Sequence, residues 1–279
     1  MPIRALAGLV RLLGVKGTLI VGAVVVVGFV LMPAEIKEQI LGALMGGGAG
    51  APTGDGSSVC EASPANGEAC AFSRVVLAST EDVWTPIFAR GALPAYGSSP
   101  GAYRHPTLVV FSNGVSTNGC GSASSAVGPF YCPADQKLYI DPSFYDVMEQ
   151  RLRAPGDFAQ AYVIAHEVGH HVQNLIGATR LRPGGDTSNQ TSVRVELQAD
   201  CLAGVWGHSA RSALQITDED LGEALTAAHA IGDDTLGHAD ERKFTHGSSE
   251  QRKRWFRRGF ESGDARQCDT FAVQNARDL

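Results

Sequence analysis

The stretch from Asp157 to Ile176 limits the fold more than any other part of this chain, because it has the pattern of one amphipathic helix. Asp157, after Pro155–Gly156, is predicted to be its N-cap, and Gly177 is predicted to end it. Apolar residues recur at helical spacing, namely Phe158, Tyr162, Ala165, Val168, Val172, Leu175 and Ile176. The segment is therefore predicted to pack its apolar side into a protein core.

This helix also carries an H-E-x-x-H motif, from His166 to His170. Residues four apart lie one above the other on a helix, so the two imidazoles can bind one zinc ion. Glu167 lies between them and is predicted to face the remaining coordination position without being a ligand. The motif predicts the first half of a zinc hydrolase site.

A third ligand is needed, and Glu196 is the best candidate. It falls in a second helical segment over residues 191–210, and the turn-rich stretch 182–189 lets the two helices run antiparallel. Asp200 lies one turn beyond Glu196 on the same face. It is predicted to accept the outer N–H of a zinc-bound histidine.

With zinc held by these residues, the chemistry follows from the general properties of such sites. The metal lowers the pKa of a bound water and polarises a carbonyl group. Glu167 is then predicted to take the proton of that water and to pass it to a leaving amine.

Several separate motifs in this chain resemble those of a known family. They are HEVGHH at 166–171, ELQADC at 196–201, GCG at 119–121, GPFYCPAD at 128–135, THGSSEQR at 245–252 and CDTF at 268–271. Together they resemble the putative neutral zinc metallopeptidases, which are membrane-anchored bacterial proteins, over about residue 70 to residue 272. The resemblance implies a zincin-like α+β domain, mainly helical with a small sheet, that uses Zn²⁺ to hydrolyse peptide bonds in peptides or proteins.

A more distant resemblance links the chain to gluzincins of the prenyl-protease type, which have E-x-x-x-D after H-E-x-x-H. In those proteins a Thr-His-Pro-Ser segment, with an Arg a few residues later, follows in the order of motifs. By that resemblance His246 is predicted to stabilise the oxyanion, with Arg252 as the weaker candidate. Gly247 replaces the Pro of that segment. His246 has an alternative interpretation as part of a turn, because Ser248 and Gln251 form a predicted capping box.

Two rival functions share most of these features. A catalytically silent zincin-like module that binds or scaffolds envelope partners has the same ligands, but it has no use for Glu167. A zinc amidohydrolase acting on cell-wall peptides has the same chemistry and differs only in its substrate.

The remaining histidines carry no motif. His171 projects about 100° away from His170 and is predicted to lie at the surface or to support a ligand. His208 and His229 are not predicted ligands. His238 is not one either, although a role in a substrate subsite stays open, and His105 is predicted to be structural.

The N-terminal region has the pattern of a membrane anchor. No charged residue occurs between Gly17 and Ala34, and a helix of that length spans about 27 Å, close to the roughly 30 Å of the hydrocarbon core. Basic residues precede this segment and acidic residues follow it, which places the large C-terminal part outside the cytoplasm. A cleaved signal peptide is the alternative.

The domain prediction follows from these patterns. It has a cytoplasmic N-terminus over 1–16, a transmembrane helix over 17–34, a Gly/Ser/Pro-rich tether over 35–69 and a metallopeptidase domain over 70–279.

The cysteine content indicates a cellular location, and the net charge limits the classes of function. The six cysteines fit an exported location. They allow fifteen pairings, of which we consider Cys120–Cys132, Cys201–Cys268 and Cys60–Cys70 first. The net charge of −6 argues against a general nucleic-acid binder. The basic run over 252–258 is predicted to be a solvated helix face, with contact to anionic lipid as the alternative.

Local patterns predict the other elements. Strands are predicted over 107–111 and 136–140, with a cysteine-closed loop between them. Helices are predicted over 79–90, 143–151, 217–231 and 248–260. An edge strand of such a sheet can bind an extended peptide, and the segment after Cys120 is a candidate for it.

Overall fold

In the described part of the chain, two helices precede a region of short strands, and five further helices follow it. The computed structural model describes residues 56–97 and 99–279, and this part of the chain is mainly helical with a small sheet. The helices are α1 (Gly56–Glu61), α2 (Pro64–Ala89), α3 (Ser143–Gln150), α4 (Asp157–Ile176), α5 (Ser188–Ala210), α6 (Asp218–Ala230) and α7 (Ser249–Ser262). The strands are β1 (Thr107–Val110), β2 (Gly114–Ser116), β3 (Ser122–Ser124), β4 (Phe130–Cys132) and β5 (Lys137–Ile140).

Helix α2 begins much earlier than the sequence predicts. Ser63 caps it by accepting a hydrogen bond from the backbone N–H of Asn66, and Pro64 occupies the first turn. The prediction of a helix over 79–90 was therefore too short. Residues 56–61 and 64–69 of the predicted tether are helical as well. Their small residues resemble a linker in composition, but over residues 64–69 the Ser63–Pro64 start signal decides the local structure.

The sheet places one strand beside the central helix. β1 pairs with β5 in parallel and β4 pairs with β5 antiparallel, so β4 is an edge strand. The predicted strands 107–111 and 136–140 are confirmed as β1 and β5. The segment after Cys120 supplies β3, which pairs only with β2 in a separate hairpin, and then β4, which packs against α4.

Helices α4, α5 and α7 form the centre of the core. Glycines allow them to approach closely, because a Cβ at Gly204 would lie 2.1 Å from the carbonyl oxygen of Phe256, and one at Gly259 would lie 1.9 Å from that of Cys201. Such contacts bring the main chains of α5 and α7 together, so α5 has little freedom to shift.

The start of α4 differs from the prediction. Its N-cap is Gly156, with φ 107°, and Asp157 is the first helical residue. The backbone N–H of Phe158 donates instead to Glu223 of α6, at 3.1 Å. A carboxylate from another helix thus caps the N-terminus of α4, which is the role that the sequence predicts for Asp157. Gly177 ends α4 in the left-handed conformation, as predicted.

All three disulfides considered from the sequence are present, namely Cys60–Cys70, Cys120–Cys132 and Cys201–Cys268. The last one fastens α5 to the C-terminal segment.

The predicted cytoplasmic N-terminus (1–16), the predicted transmembrane helix (17–34) and residues 35–55 of the tether lie outside the described residues. Among the helices that are described, none combines the length and the apolar character needed to cross a membrane.

Candidate metal centre

Helices α4 and α5 bring three side chains together at one point. His166 and His170 come from α4 and Glu196 comes from α5, and their potential ligand atoms all lie within 4.8 Å of one another. Nε2 of His166 is 3.2 Å from one Glu196 oxygen, and Nε2 of His170 is 3.6 Å from the other. The grouping expected from the sequence is therefore formed.

Gly169 explains how the two helices come close enough. A Cβ at this position would lie 2.9 Å from the carbonyl oxygen of Ala199, which no ordinary packing allows. The glycine, which directly precedes His170, lets α4 pack against the main chain of α5. A capping box at Thr187 and Gln190 fixes the start of α5, so Glu196 comes two turns later, opposite the pair.

The three side chains fit a transition-metal ion such as zinc. Bonds of about 2.0–2.2 Å at tetrahedral angles place neighbouring ligand atoms about 3.4 Å apart. The His166 and His170 nitrogens lie 3.2 and 3.6 Å from the two oxygens of Glu196, and one ligand atom from each residue lies within 4.8 Å of the others. Two imidazoles and one carboxylate are also the donor set of many catalytic zinc sites. The group can therefore hold a metal ion with one position left for another ligand.

His166 is supported by a buried cluster of charged and polar groups. Its Nδ1 lies 2.8 Å from Asp200, which also accepts a hydrogen bond of 2.5 Å from the hydroxyl of Tyr162. Arg252 donates to both oxygens of Asp200, at 2.9 Å each. Asp200 therefore contacts one of the two motif histidines, and its predicted role towards a metal-bound histidine stays a prediction.

The electrostatics of the cluster follow from these contacts. Burial by itself would raise the pKa of Asp200, but Arg252 and His166 hold it below its usual value. Burial would lower the pKa of His166, and the Asp200 carboxylate outweighs this and raises it to about 9. Burial would also raise the pKa of Glu196, and the imidazoles of His170 and His166 bring it below its usual range.

Glu167 is half-buried and lies next to β4. The two motif histidines and, to a smaller extent, the backbone of Tyr131 in β4 act to lower the pKa of its carboxylate. Burial is the largest influence and raises the pKa of Glu167 above its usual value. Glu167 is not one of the three grouped side chains, as the sequence predicts.

His246 lies on a loop that Asp233 organises. The buried carboxylate of Asp233 accepts backbone N–H groups from Thr245, His246 and Gly247, at 2.7, 2.7 and 3.0 Å. Its other oxygen is 3.3 Å from Nδ1 of His246, whose side chain is 50% exposed. Gly247 has φ 90° and donates to Asp233, neither of which a proline can do.

The loop leads into α7 through a capping box of Ser248 and Gln251, so the predicted capping box is confirmed, and the role of His246 stays a prediction. Among the described residues, no hydrogen bond or ion pair joins His246 to His166, His170 or Glu196. Arg252, the weaker candidate, is the residue of this segment that reaches the cluster, with Nη2 3.4 Å from Nδ1 of His166.

The other histidines lie outside the group. His171 is fully buried, not at the surface, and contacts the hydroxyl of Tyr131 at 2.9 Å and the carbonyl oxygen of Arg104 at 2.5 Å. His105 pairs with Glu81, and His208 contacts the carbonyl oxygen of Phe260. His229 and His238 are not among the grouped ligands.

Sequence reasoning missed two neutral residues of α4 that touch this site. Tyr162 precedes His166 by four residues and Gln173 follows His170 by three, and both contact the cluster. Helical spacing could have indicated both, since residues three and four apart are neighbours on a helix surface.

Comparison with known proteins agrees with this geometry. The family model described as "Putative neutral zinc metallopeptidase" matches residues 4–271. Uncharacterized protein YpfJ of Escherichia coli K12 is 49% identical over 233 residues, which cover 80% of this chain and 78% of that protein. Uncharacterized protein Rv2575 of Mycobacterium tuberculosis H37Rv is 42% identical over 212 residues, covering 70% and 68%. No solved structure matches significantly. The chain belongs to the putative neutral zinc metallopeptidase family.

Proposed function

We propose that this protein is a zinc-dependent metallopeptidase that hydrolyses peptide bonds. The observation that supports this most directly is the convergence of two imidazole nitrogens and one carboxylate, with Glu167 beside them, on a spacing that suits zinc. A site that only held a structural ion would need a fourth protein ligand, and the group contains three.

In this proposal His166, His170 and Glu196 hold the metal, which when bound activates a water molecule and polarises the scissile carbonyl. Glu167 accepts the proton of that water and later gives it to the leaving amine. Asp200, fixed by Arg252 and Tyr162, keeps the proton of His166 on Nδ1 so that Nε2 stays free as a ligand.

The substrate is proposed to be an extended peptide lying along β4. This strand has one free edge and packs on α4, and the backbone of its Tyr131 influences the Glu167 carboxylate. His246 is proposed to approach the oxyanion with its exposed imidazole when substrate is bound, since Asp233 holds the ring and its loop. Replacing His246 by Ala is then expected to lower kcat about 10²–10³-fold.

We also propose that the protein is anchored in the cell membrane by residues 17–34, with the catalytic domain outside the cytoplasm. The uncharged apolar stretch and the distribution of charges around it support this, as do three disulfides. Sedimentation with membranes after alkaline washing, and protease access from the outer side, test it.

The decisive experiment compares the wild type with Glu167→Gln. We expect one zinc per chain in both proteins, and peptide hydrolysis only in the wild type, with a loss of about 10²–10⁴-fold in the variant. Glu149→Gln changes an exposed residue of α3 in the same way and should leave hydrolysis unchanged. Zinc binding without hydrolysis of a broad peptide library by the wild type would instead favour the silent envelope module.

A further inference from the structure

The outer nitrogen of His170 meets a neutral amide, in contrast to the carboxylate that faces His166. Nδ1 of His170 lies 2.8 Å from Oε1 of Gln173, which is one turn further along α4. Gln173 is fully buried. The oxygen and the nitrogen of a glutamine amide have nearly the same shape, and only the hydrogen-bond partners of the amide decide which end faces the imidazole.

The surroundings of Gln173 decide its orientation. Its Nε2 lies 2.7 Å from the carbonyl oxygen of Val195 and 3.1 Å from Oε1 of Gln198. A carbonyl oxygen can only accept, so the NH₂ end of Gln173 must face Val195. The oxygen end therefore faces His170, and Nδ1 of His170 has to carry the hydrogen.

The hydrogen-bond partners of Gln198, the next residue in this network, determine the orientation of its amide in the same way. Its Nε2 donates to the carbonyl oxygen of Cys268 at 2.9 Å and to the hydroxyl of Tyr96 at 2.7 Å, so its Oε1 is left to accept from Gln173. The hydroxyl of Tyr96 in turn donates to Asp269 at 2.6 Å. Every hydrogen bond from His170 to Asp269 thus runs in one direction.

We propose that Gln173 is the positioning residue of His170. Through the chain Gln173–Gln198–Tyr96–Asp269, carbonyl groups of α5 and of the C-terminal segment hold His170 in the tautomer whose Nε2 lone pair faces the metal position. The chain is neutral up to Asp269, so it selects the tautomer without adding charge beside the metal. This inference rests on the proposed function only in treating His170 as a ligand.

The first test reads the tautomer in the wild-type protein itself. With ¹⁵N-labelled histidine, NMR at about pH 8 is expected to show His170 protonated on Nδ1, both with zinc and after chelation. Protonation on Nε2, or zinc bound through Nδ1, would overturn the proposal. A wild type that binds no zinc would refute the metal site, whereas the chelated sample would still report on Gln173.

The second test compares two replacements of Gln173. Gln173→Met removes the acceptor and is expected to weaken zinc binding about 10–100-fold, whereas Gln173→Glu keeps an acceptor for Nδ1–H and is expected to restore most of that loss. A purely structural role predicts the opposite order, because the carboxylate introduced by Gln173→Glu would be a buried charge against the carbonyl oxygen of Val195.

The control for this comparison is Gln160→Met, the same change on the same helix at a half-buried position before the motif. It should leave the zinc dissociation constant unchanged. Thermal unfolding of the chelated proteins shows whether each variant is folded. Equal zinc affinity in the wild type and in Gln173→Met, or a Gln173→Glu variant as weak as Gln173→Met, would overturn the proposal.

Discussion

The two histidines of the motif sit one turn apart on α4, yet the structure supports them by different means. Nδ1 of His166 faces Asp200, whose charge is shared with Arg252 and Tyr162. Nδ1 of His170 faces Gln173 and a chain of uncharged groups. Both arrangements leave Nε2 facing Glu196, but only the first contains a buried ion pair.

This difference teaches what each side contributes. A carboxylate partner makes an imidazole more basic and strengthens it as a ligand, but it must be neutralised when it is buried. An amide partner selects the tautomer and costs much less if it is lost. The charged support of His166 by Asp200 and Arg252 should therefore contribute more to the free energy of unfolding than the amide support of His170. Both supports should affect metal binding.

Removing the ion pair between Arg252 and Asp200 is expected to have the largest effect on stability. Arg252→Met leaves Asp200 buried without its cation, and we expect the free energy of unfolding to fall by about 3–5 kcal/mol. Denaturant titration measures this. Arg254→Met changes an exposed arginine of the same helix and should fall within about 0.5 kcal/mol of the wild type. Equal effects of the two changes would show that the ion pair matters little.

The pH dependence of stability extends the comparison to a third imidazole, His171. Burial lowers the pKa of His171 to about 4, below the value of about 6.5 expected in the unfolded chain. The unfolded chain therefore takes up the proton first as the pH falls. This contribution is complete above pH 6.5 and is lost between about pH 6.5 and 4, up to about 3 kcal/mol.

His171→Gln retains one donor and one acceptor but cannot titrate in this range. In chelated samples, its unfolding free energy should fall less steeply over this pH interval than that of the wild type. Chelation keeps the loss of metal from His166 and His170 out of the comparison. Parallel pH profiles for the two proteins would mean that His171 does not titrate on unfolding.

The smallest of the three effects concerns the close contact between α4 and α5 at Gly169, which positions both histidines relative to Glu196. Gly169→Ala forces a Cβ against Ala199 and is expected to lower the unfolding free energy by about 1–3 kcal/mol and to weaken zinc binding. Gly222→Ala is the matched control, because a Cβ there meets nothing within 4 Å. It should be neutral or slightly stabilising. A Gly169→Ala protein with unchanged zinc affinity would show that this contact does not set the ligand spacing.

Local patterns were enough to predict much of the molecule. Helical periodicity predicted α4 and α5, and helical spacing together with the family resemblance predicted Glu196 as the partner of the His166–His170 pair and Asp200 as the partner of a motif histidine. Within each helix these residues lie one or two turns apart, where sequence spacing and spatial distance are closely related, whereas the antiparallel meeting of the two helices was inferred from the turn-rich stretch between them.

The rest depends on contacts between distant parts of the chain. Tyr96 and Gln198 are 102 residues apart, and no local pattern links them. The burial of His171 depends on Tyr131, which arrives on β4. Glu223 accepts a hydrogen bond from a backbone N–H at the start of α4, and local capping rules could not predict this contact either. Tertiary packing decides such contacts, so they need the folded structure.

The contact at Gly169 also bears on which ions the site accepts. Main chain touches main chain there, so the backbones of α4 and α5 have little freedom to shift, and rotation of the three side chains has to accommodate an ion of different size. An ion with bonds of about 2.3–2.6 Å, such as Ca²⁺, would require such rotations away from the arrangement that suits zinc. We therefore expect the folded chain to discriminate among cations by radius as well as by donor chemistry.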